Sequence, residues 1–513
     1  MAKAKINNPV ASIDIGSNYL RMTIAEVNED GDFNILEDVS KQTNIGKDTF
    51  SFGRIKVETI HDICDNLKGF GALMRDYHVK SYKAIATSGI REAENKQYIL
   101  EQIRLRTGIV VKCLNIAEER FFVLKGMKNT FSKIDIDFSK NVLVINITSG
   151  AIEASIYKQG QLKFTENIKI GSLRLPEILS ELQNKSLNFP GLMEEYIESK
   201  IYLAKLNIEN LNVSHFVAIG GELSTIIDIM ERKAKSNEKF ACIKRKNFIS
   251  LYDDIRKMSQ EQIEFDYDIP RKRANLVLST VLLLQCFLKL TEAKEIYTPE
   301  ITLRHGILKD ISDNMVVGKH ETDISDIISS VWHIGEKYKI DENHASYVEK
   351  IALHIFDETN KLHKLGHRER LYLQIASILH DVGAFINTTN HAEHSYNIIK
   401  TTDIIGFSDN ELNIIANIAR YHGDEDIRPE ADENYYMLSE ADRMTVSKLT
   451  AILKLSEALD VSHLQKIEAL KVTVNSEAIY FNVEANEDIL LEEWNFNNNA
   501  YFFEEVMGIK PII

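Results

Sequence analysis

The sequence predicts an α/β first half and an all-helical second half closed by a small α/β tail. Strand-length apolar runs alternate with helix-period segments up to about residue 310, and the opening strand pair at 10–28 recurs in layout at 141–157. From about residue 320 helical spacing alone continues until 468–483. A duplicated strand–turn–strand start implies two related lobes, with a ligand in the cleft between them.

The first pair is VASIDIGSNYLRMTI, Val10 to Ile24. An apolar run ends in Asp14, the turn Gly16-Ser17-Asn18 follows, and Leu20, Met22 and Ile24 alternate along the next strand. Gly16 lets the main chain approach a phosphate, the turn amides can donate to it, and Asp14 can hold a divalent cation or a water. An edge hairpin with a polar turn is the alternative. Further strands are expected at 82–87, 110–115, 141–147, 151–157 and 214–219, and helices at 55–76, 91–105, 117–128, 173–183, 190–207, 222–233 and 271–290. The second half predicts helices at 323–338, 342–361, 368–380, 391–401, 409–421 and 444–459.

A chain of 513 residues holds three or four domains, and 44% apolar with 27% charged residues is the composition of a soluble globular protein. The longest apolar run, Leu276 to Leu288, is interrupted by Ser279, Thr280 and Gln285 and predicts a buried helix, so no membrane partner is expected. The N-terminus shows no apolar stretch of a signal peptide, and a cytoplasmic location is expected. Cys64, Cys113, Cys242 and Cys286 lack ligand spacing and predict reduced thiols. The formal charge of −15 argues against general nucleic-acid binding. A polyanion must then use a local basic patch, with Arg271 to Arg273 and His363 to Arg370 as candidates or as solvated faces.

In order and spacing, VASIDIGSNYLRMTI, AIATSGIREAEN at 84–95, AEERFFVLKGM at 117–127, AIGGELSTI at 218–226, LRHGILKD at 303–310 and ILHDVG at 378–383 resemble the exopolyphosphatase/guanosine pentaphosphate phosphohydrolase family. The resemblance implies duplicated actin-like ATPase (ribonuclease H-like) lobes at 1–130 and 131–310, an all-α HD-type domain at 311–463 and a small α/β domain at 464–513. It implies release of terminal phosphate from polyphosphate or guanosine pentaphosphate, with magnesium or another divalent cation. The implied ligand is polyphosphate or a guanosine nucleotide, and a homodimer is left open.

Hydrolysis of a terminal phosphoanhydride needs a group to orient water, a cation against phosphoryl charge, and donors that hold the group in line. Glu119 matches the family's general base, and Glu118 beside it could raise its pKa as a like charge; alternatively both are first-turn helix carboxylates. Arg91 could clamp phosphate bidentately, or pair with Glu92 or Glu94. Asn18 and Arg21 flank the first turn, where Tyr19 replaces the family's serine. Gly220-Gly221 would open a helix toward an anion, and Arg174 and Arg304 match family positions.

The second loop departs from the family's Asp-Ile-Gly-Gly-Gly-Ser. Here Asn146, Thr148, Ser149 and Gly150 keep a single glycine, while Glu153 is retained. Asp14 and Glu153 could still hold a metal, with the Thr148 and Ser149 hydroxyls donating to phosphate. His305 and Asn275 each replace a family carboxylate. In the helical half, His344, His380, Asp381 and Asp460 match the H…HD…D pattern of metal-dependent HD phosphohydrolases, with His391, His394 and His422 as further ligands or phosphate contacts. Two readings stand: a phosphoanhydride hydrolase, or a catalytically attenuated nucleotide- or polyphosphate-binding regulatory protein of the same fold.

Overall fold

The computed structural model describes residues 8–513 apart from 29–31, 132–135, 138, 184, 205–211, 222, 235–241, 300, 316–320, 424–432 and 476. It divides into two compact units, Met1–Asp326 and Ile327–Ile513.

The first unit carries two sheets. One runs in the order β3-β2-β1-β4-β5, from β1 (Asn8–Ile15), β2 (Tyr19–Val27), β3 (Phe33–Gln42), β4 (Ser81–Ala86) and β5 (Val111–Cys113). The other is built from β6 (Val142–Ile147), β7 (Ile152–Lys158), β8 (Gln161–Ile168), β9 (His215–Ile219), β10 (Cys242–Lys244) and β11 (Glu295–Tyr297). Its order is β10-β11-β9-β6-β7-β8, so β8-β7-β6-β9-β11 repeats the first sheet strand for strand. In each copy the hairpin is antiparallel and the next two strands join in parallel. Central position explains the sequence pattern: all six residues of β6 are buried, as a strand covered on both faces requires.

β3 escapes sequence reading for the opposite reason. It is an edge strand whose residues are nearly all exposed or half-buried, so FNILEDVSKQ carries no clean alternation. The helix Leu303–Met315 crosses the 310/311 boundary expected from sequence and packs on the helix Ile116–Phe131 and on β1, which keeps it in the first unit. Its Gly306 lies so close to that helix that an added Cβ would sit 1.6 Å from the Phe122 carbonyl oxygen. Asp310 of the same helix accepts from Lys125 at 2.7 Å and from Lys83.

In the second unit the helices Glu342–Glu358, His367–Leu379, Asp409–Arg420 and Glu440–Ala458 pack on one another. β12 (Ile467–Val474), β13 (Ala478–Ala485) and β14 (Lys510–Ile512) form a small sheet, and the helix Leu490–Met507 packs against Glu440–Ala458. The 464–513 segment therefore shares its unit with the helices rather than standing apart. Among the described residues no helix is long and apolar enough to cross a membrane. The four cysteines are free thiols. The basic run at 363–370 is already partnered: Arg368 holds Glu411 at 2.7 Å, Arg370 holds Asp357 at 2.7 Å, and His363 is buried.

Candidate functional site

The two hairpin turns of the first unit face one cleft. It is walled by Asp14, Gly16 to Tyr19 and Arg21 from the first lobe, and by Asn146, Thr148, Ser149, Gly220 and Gly221 from the second. The turns are built alike, since Gly16 N–H donates to Tyr19 O and Thr148 N–H to Ala151 O, each at 3.0 Å. The Gly16 amide is thus spent on closing its turn and is not one of the turn amides left to donate to a ligand. Gly220 is at φ 121°, where an added Cβ would lie 2.1 Å from the Ile147 carbonyl oxygen, so only glycine lets β9 end against β6 here. The helix after it starts at Leu223, and Glu222 and the Asn275 side chain lie outside the described residues.

Two buried polar atoms in this cleft have no hydrogen-bond partner among the described residues: Asp14 Oδ1 and Asn18 Nδ2. One is a bare acceptor and the other a bare donor, the pair that a cation and an anion would satisfy. Burial pushes the Asp14 carboxyl up, against the pull of Arg21 and Arg304. Arg21 reaches across, lying 4.9 Å above the Tyr19 ring and close enough to Gly221 that a Cβ there would meet its guanidinium at 2.8 Å. Arg304 is held back, donating to Thr23 Oγ1 at 2.6 Å and pairing with Asp38. Past Arg21 the cleft opens into a cavity of about 560 Å³ lined in part by Arg21, Arg273 and Arg304.

Glu119 borders both this cleft and a small recess that contains Arg91, Asn146, Thr148 and Glu153. Arg91 Nη1 donates to Glu119 Oε2 and to the Leu114 carbonyl, both at 2.9 Å, so its partner is neither Glu92 nor Glu94. Glu118 is not turned to Glu119. It accepts from the Asn115 amide at 3.1 Å and pairs with Lys112 at 2.5 Å, closing the start of its helix. Glu153 faces Asn146 across the β6–β7 register, at the place where Arg21 faces Asp14 in the first hairpin. Burial pushes the Glu153 carboxyl up, and Arg120, 3.5 Å away, pulls it back. Asp14 and Glu153 line different recesses, with Glu119 common to both.

The second loop is closed by its own side chain. Thr148 Oγ1 donates to Ala151 O at 2.9 Å and accepts from Ala151 N at 3.1 Å. The Thr148 hydroxyl proton is thereby taken by the turn, which corrects its expected role as a phosphate donor. Gly150 abuts Ser88 of the first lobe, and Arg174 reaches from the second lobe to Glu92 of the first at 2.6 Å.

In the second unit the four expected metal residues gather, with one change of role. His344 Nε2 lies 3.2 Å from His380 Nε2 and 3.9 Å from Asp381 Oδ2. Asp460 stands behind His344, accepting from its Nδ1 at 2.9 Å. The inward carboxylate is Glu457, which sequence reading missed; it lies 3.0 Å from His344 Nε2 and 3.1 Å from His380 Nε2. Its signal was present in SEALD, one helical turn before Asp460. His391 and His422 approach Asp381 Oδ1 at 3.2 and 3.4 Å, whereas His394 is not among the gathered ligand atoms. Burial opposes charging of His344, but its bonds to Asp460 and Glu457 carry its pKa up to about 10. Burial likewise opposes ionisation of Asp381 and Glu457, yet the imidazoles hold both carboxyls well below their usual range.

Twin lobes of one topology, closing on a turn-walled cleft with a buried carboxylate, define a two-lobed α/β protein with a polar interlobe cleft. The chain belongs to the Ppx/GppA phosphatase family, whose model matches residues 23–315, and the model of Ppx/GppA phosphatase domain III matches 328–499. A guanosine-5'-triphosphate,3'-diphosphate pyrophosphatase from Pseudoalteromonas translucida is 22% identical over 465 residues, 88% of this chain and 87% of that protein. A bifunctional 3-dehydroquinate synthase/phosphatase from Fusobacterium nucleatum is 29% identical over 244 residues, which cover 45% of this chain and 35% of that protein. Among solved structures, an exopolyphosphatase from Cytophaga hutchinsonii superposes with a TM-score of 0.55 at 18% identity, covering 61% of this chain and all of that one (100%). The shared fold is what that likeness shows.

Proposed function

We propose that this chain releases terminal phosphate from polyphosphate or guanosine pentaphosphate in the cleft of its first unit. The observation that carries the reading is the position of Glu119, which borders both the turn-walled cleft and the recess of Arg91 and Glu153. Its relatives support it, being named for guanosine pentaphosphate hydrolysis and for exopolyphosphatase activity.

In this reading the Asn18 amide nitrogen and Arg21 hold oxygens of the terminal phosphoryl group, and the turn tips Ser17 and Ser149 flank it. The cavity beyond Arg21 takes the rest of the chain or the nucleoside. Arg91 holds the Glu119 carboxylate in place, and Glu119 orients a water and accepts its proton as the new P–O bond forms and the phosphoanhydride oxygen leaves. The unpartnered Asp14 Oδ1 fits a magnesium ion, while Glu153 lies in the adjoining recess beyond Glu119 and would reach such an ion only through water. Magnesium would offset charge on the phosphoryl oxygens. The helices of the second unit are read with it as an HD-type domain bearing a small α/β extension.

The deciding experiment is phosphate release from long-chain polyphosphate and from guanosine pentaphosphate with magnesium, on the parent chain and on Glu119→Gln. Turnover that falls by roughly 10²–10⁴ with binding retained supports the assignment. A specific observation favours the attenuated regulatory reading: Asn146 and the self-closed Thr148 loop replace a metal carboxylate and a phosphate-facing glycine turn. Ligand binding with no turnover in the parent chain would establish it instead.

A further inference from the structure

Between Lys471 and Lys510 the chain holds eight acidic residues and no lysine, arginine or histidine. This stretch contains β13 and the helix Leu490–Met507. One face of the helix, with Glu492, Phe496, Ala500 and Phe503, is buried; it packs on the helix Glu440–Ala458, and its Phe496 meets Phe481 of β13 edge-on at 4.9 Å. The opposite face is not polar. Leu490, Trp494 and Tyr501 are 68%, 60% and 74% exposed. At 3.6 residues per turn the three lie within about 40° of one another, as a stripe about 16 Å long. Asn497 and Asn498 stand between Trp494 and Tyr501. A helix that is apolar on both faces belongs between two partners, and within its own unit this one is covered on one side.

Charge rims the stripe. Glu487 and Asp488 precede it, Glu493 and Glu504 flank one side, and Glu505 lies on the other. All but Glu493 are exposed, and among the described residues none of the five forms an ion pair. Glu492 on the buried face, by contrast, pairs with Lys466 at 3.1 Å. A cluster of like charges around apolar side chains attracts a cationic surface and repels an anionic one. The rim therefore disfavours a second copy of the same helix, the phosphates of a nucleic acid and an anionic bilayer. Tryptophan and tyrosine are the side chains that most often anchor protein interfaces, because each joins a large rigid apolar body to a polar tip.

We propose that this face docks a basic amphipathic segment of another protein. Apolar side chains of the segment cover Leu490, Trp494 and Tyr501, and lysines or arginines beside them pair with Glu493, Glu504 and Glu505. The length of the stripe matches three turns of a partner helix. Apolar contact supplies the register and the affinity, while the carboxylates select a cationic partner and speed its arrival. The proposal rests on none of the chemistry proposed for the cleft of the first unit.

The test is binding of a fluorescein-labelled amphipathic peptide of leucine and lysine to the full-length chain, read by anisotropy. Saturable one-to-one binding is expected, weakened by roughly 10-fold or more in Trp494→Ala and in Tyr501→Ala with unchanged melting profiles. The double variant Glu504→Gln, Glu505→Gln should bind several-fold more weakly, and added salt should weaken the parent's binding. Trp332 and Trp494 are the two tryptophans, so in Trp332→Phe the emission reports Trp494 alone and should shift to the blue as the peptide covers it. A lysine-only peptide that binds as tightly, unchanged affinity in a folded Trp494→Ala, or Trp494 emission unmoved at saturation overturns the proposal. Dimerisation of the parent chain that Trp494→Ala abolishes would overturn it in favour of a second copy. Trp494-dependent binding to phosphatidylglycerol vesicles would overturn it in favour of a membrane.

Discussion

Arg174 of the second lobe donates through Nη2 to Glu92 of the first lobe at 2.6 Å and through Nε to the Gly150 carbonyl at 2.5 Å, with its guanidinium 4.2 Å from the Phe50 ring centre. One mostly buried side chain thus ties the second loop to the opposite lobe. Arg174→Ala should loosen closure and raise KM for polyphosphate several-fold, with a smaller loss in kcat. A lowered kcat at constant KM would place Arg174 in the chemistry instead.

Asn146 and Glu153 are register partners, so Asn146→Asp puts a second carboxylate beside Glu153 in a buried recess. Without magnesium the two charges should lower the thermal midpoint, and millimolar magnesium should restore it, together with a gain in magnesium-dependent phosphate release. A midpoint equally insensitive to magnesium in both proteins would show that no ion reaches this recess.

Gly306 of the helix Leu303–Met315 approaches the Phe122 carbonyl too closely for any Cβ. Gly306→Ala must force the two helices apart and should destabilise the first unit by about 3 kcal/mol or more, measured by urea unfolding. A loss below about 1 kcal/mol would mean that the crossing yields easily.

Glu411 gives a pH dependence with a defined sign. Burial opposes its ionisation, but Arg368, the Ser408 amide and Tyr372 hold the carboxyl down to about 2. The folded pKa lies below the unfolded value of about 4.3, so the contribution is fully present above that value and is lost as pH falls toward the folded one. Stability of the second unit should drop by on the order of 2 kcal/mol more in the parent than in Glu411→Gln between about pH 5 and about pH 2.5. Parallel pH profiles would remove the assignment.

The doubled hairpins were legible in the sequence because β1 and β6 are central strands whose apolar runs report burial directly. Glu119, Arg91 and the His380-Asp381 pair were singled out through short motifs whose order resembles a known family, since spacing alone left Glu119 and Arg91 open to a plain helix-start reading. β3 was not, since an exposed edge strand carries little periodicity.

The sequence by itself determined the central strands, the long helices, the duplication and the residue types at each turn, since these follow from local periodicity and turn chemistry, whereas the edge strands β3 and β8 and the short β10 and β11 were not read from it. Tertiary structure alone decided the pairings: Arg91 with Glu119 and not Glu92, Glu457 and not Asp460 toward His380, and Asp381 shared between two groups of histidines. The physical reason is that these contacts join helix and strand ends separated by dozens of residues. Their geometry depends on how the elements pack, which no local pattern records.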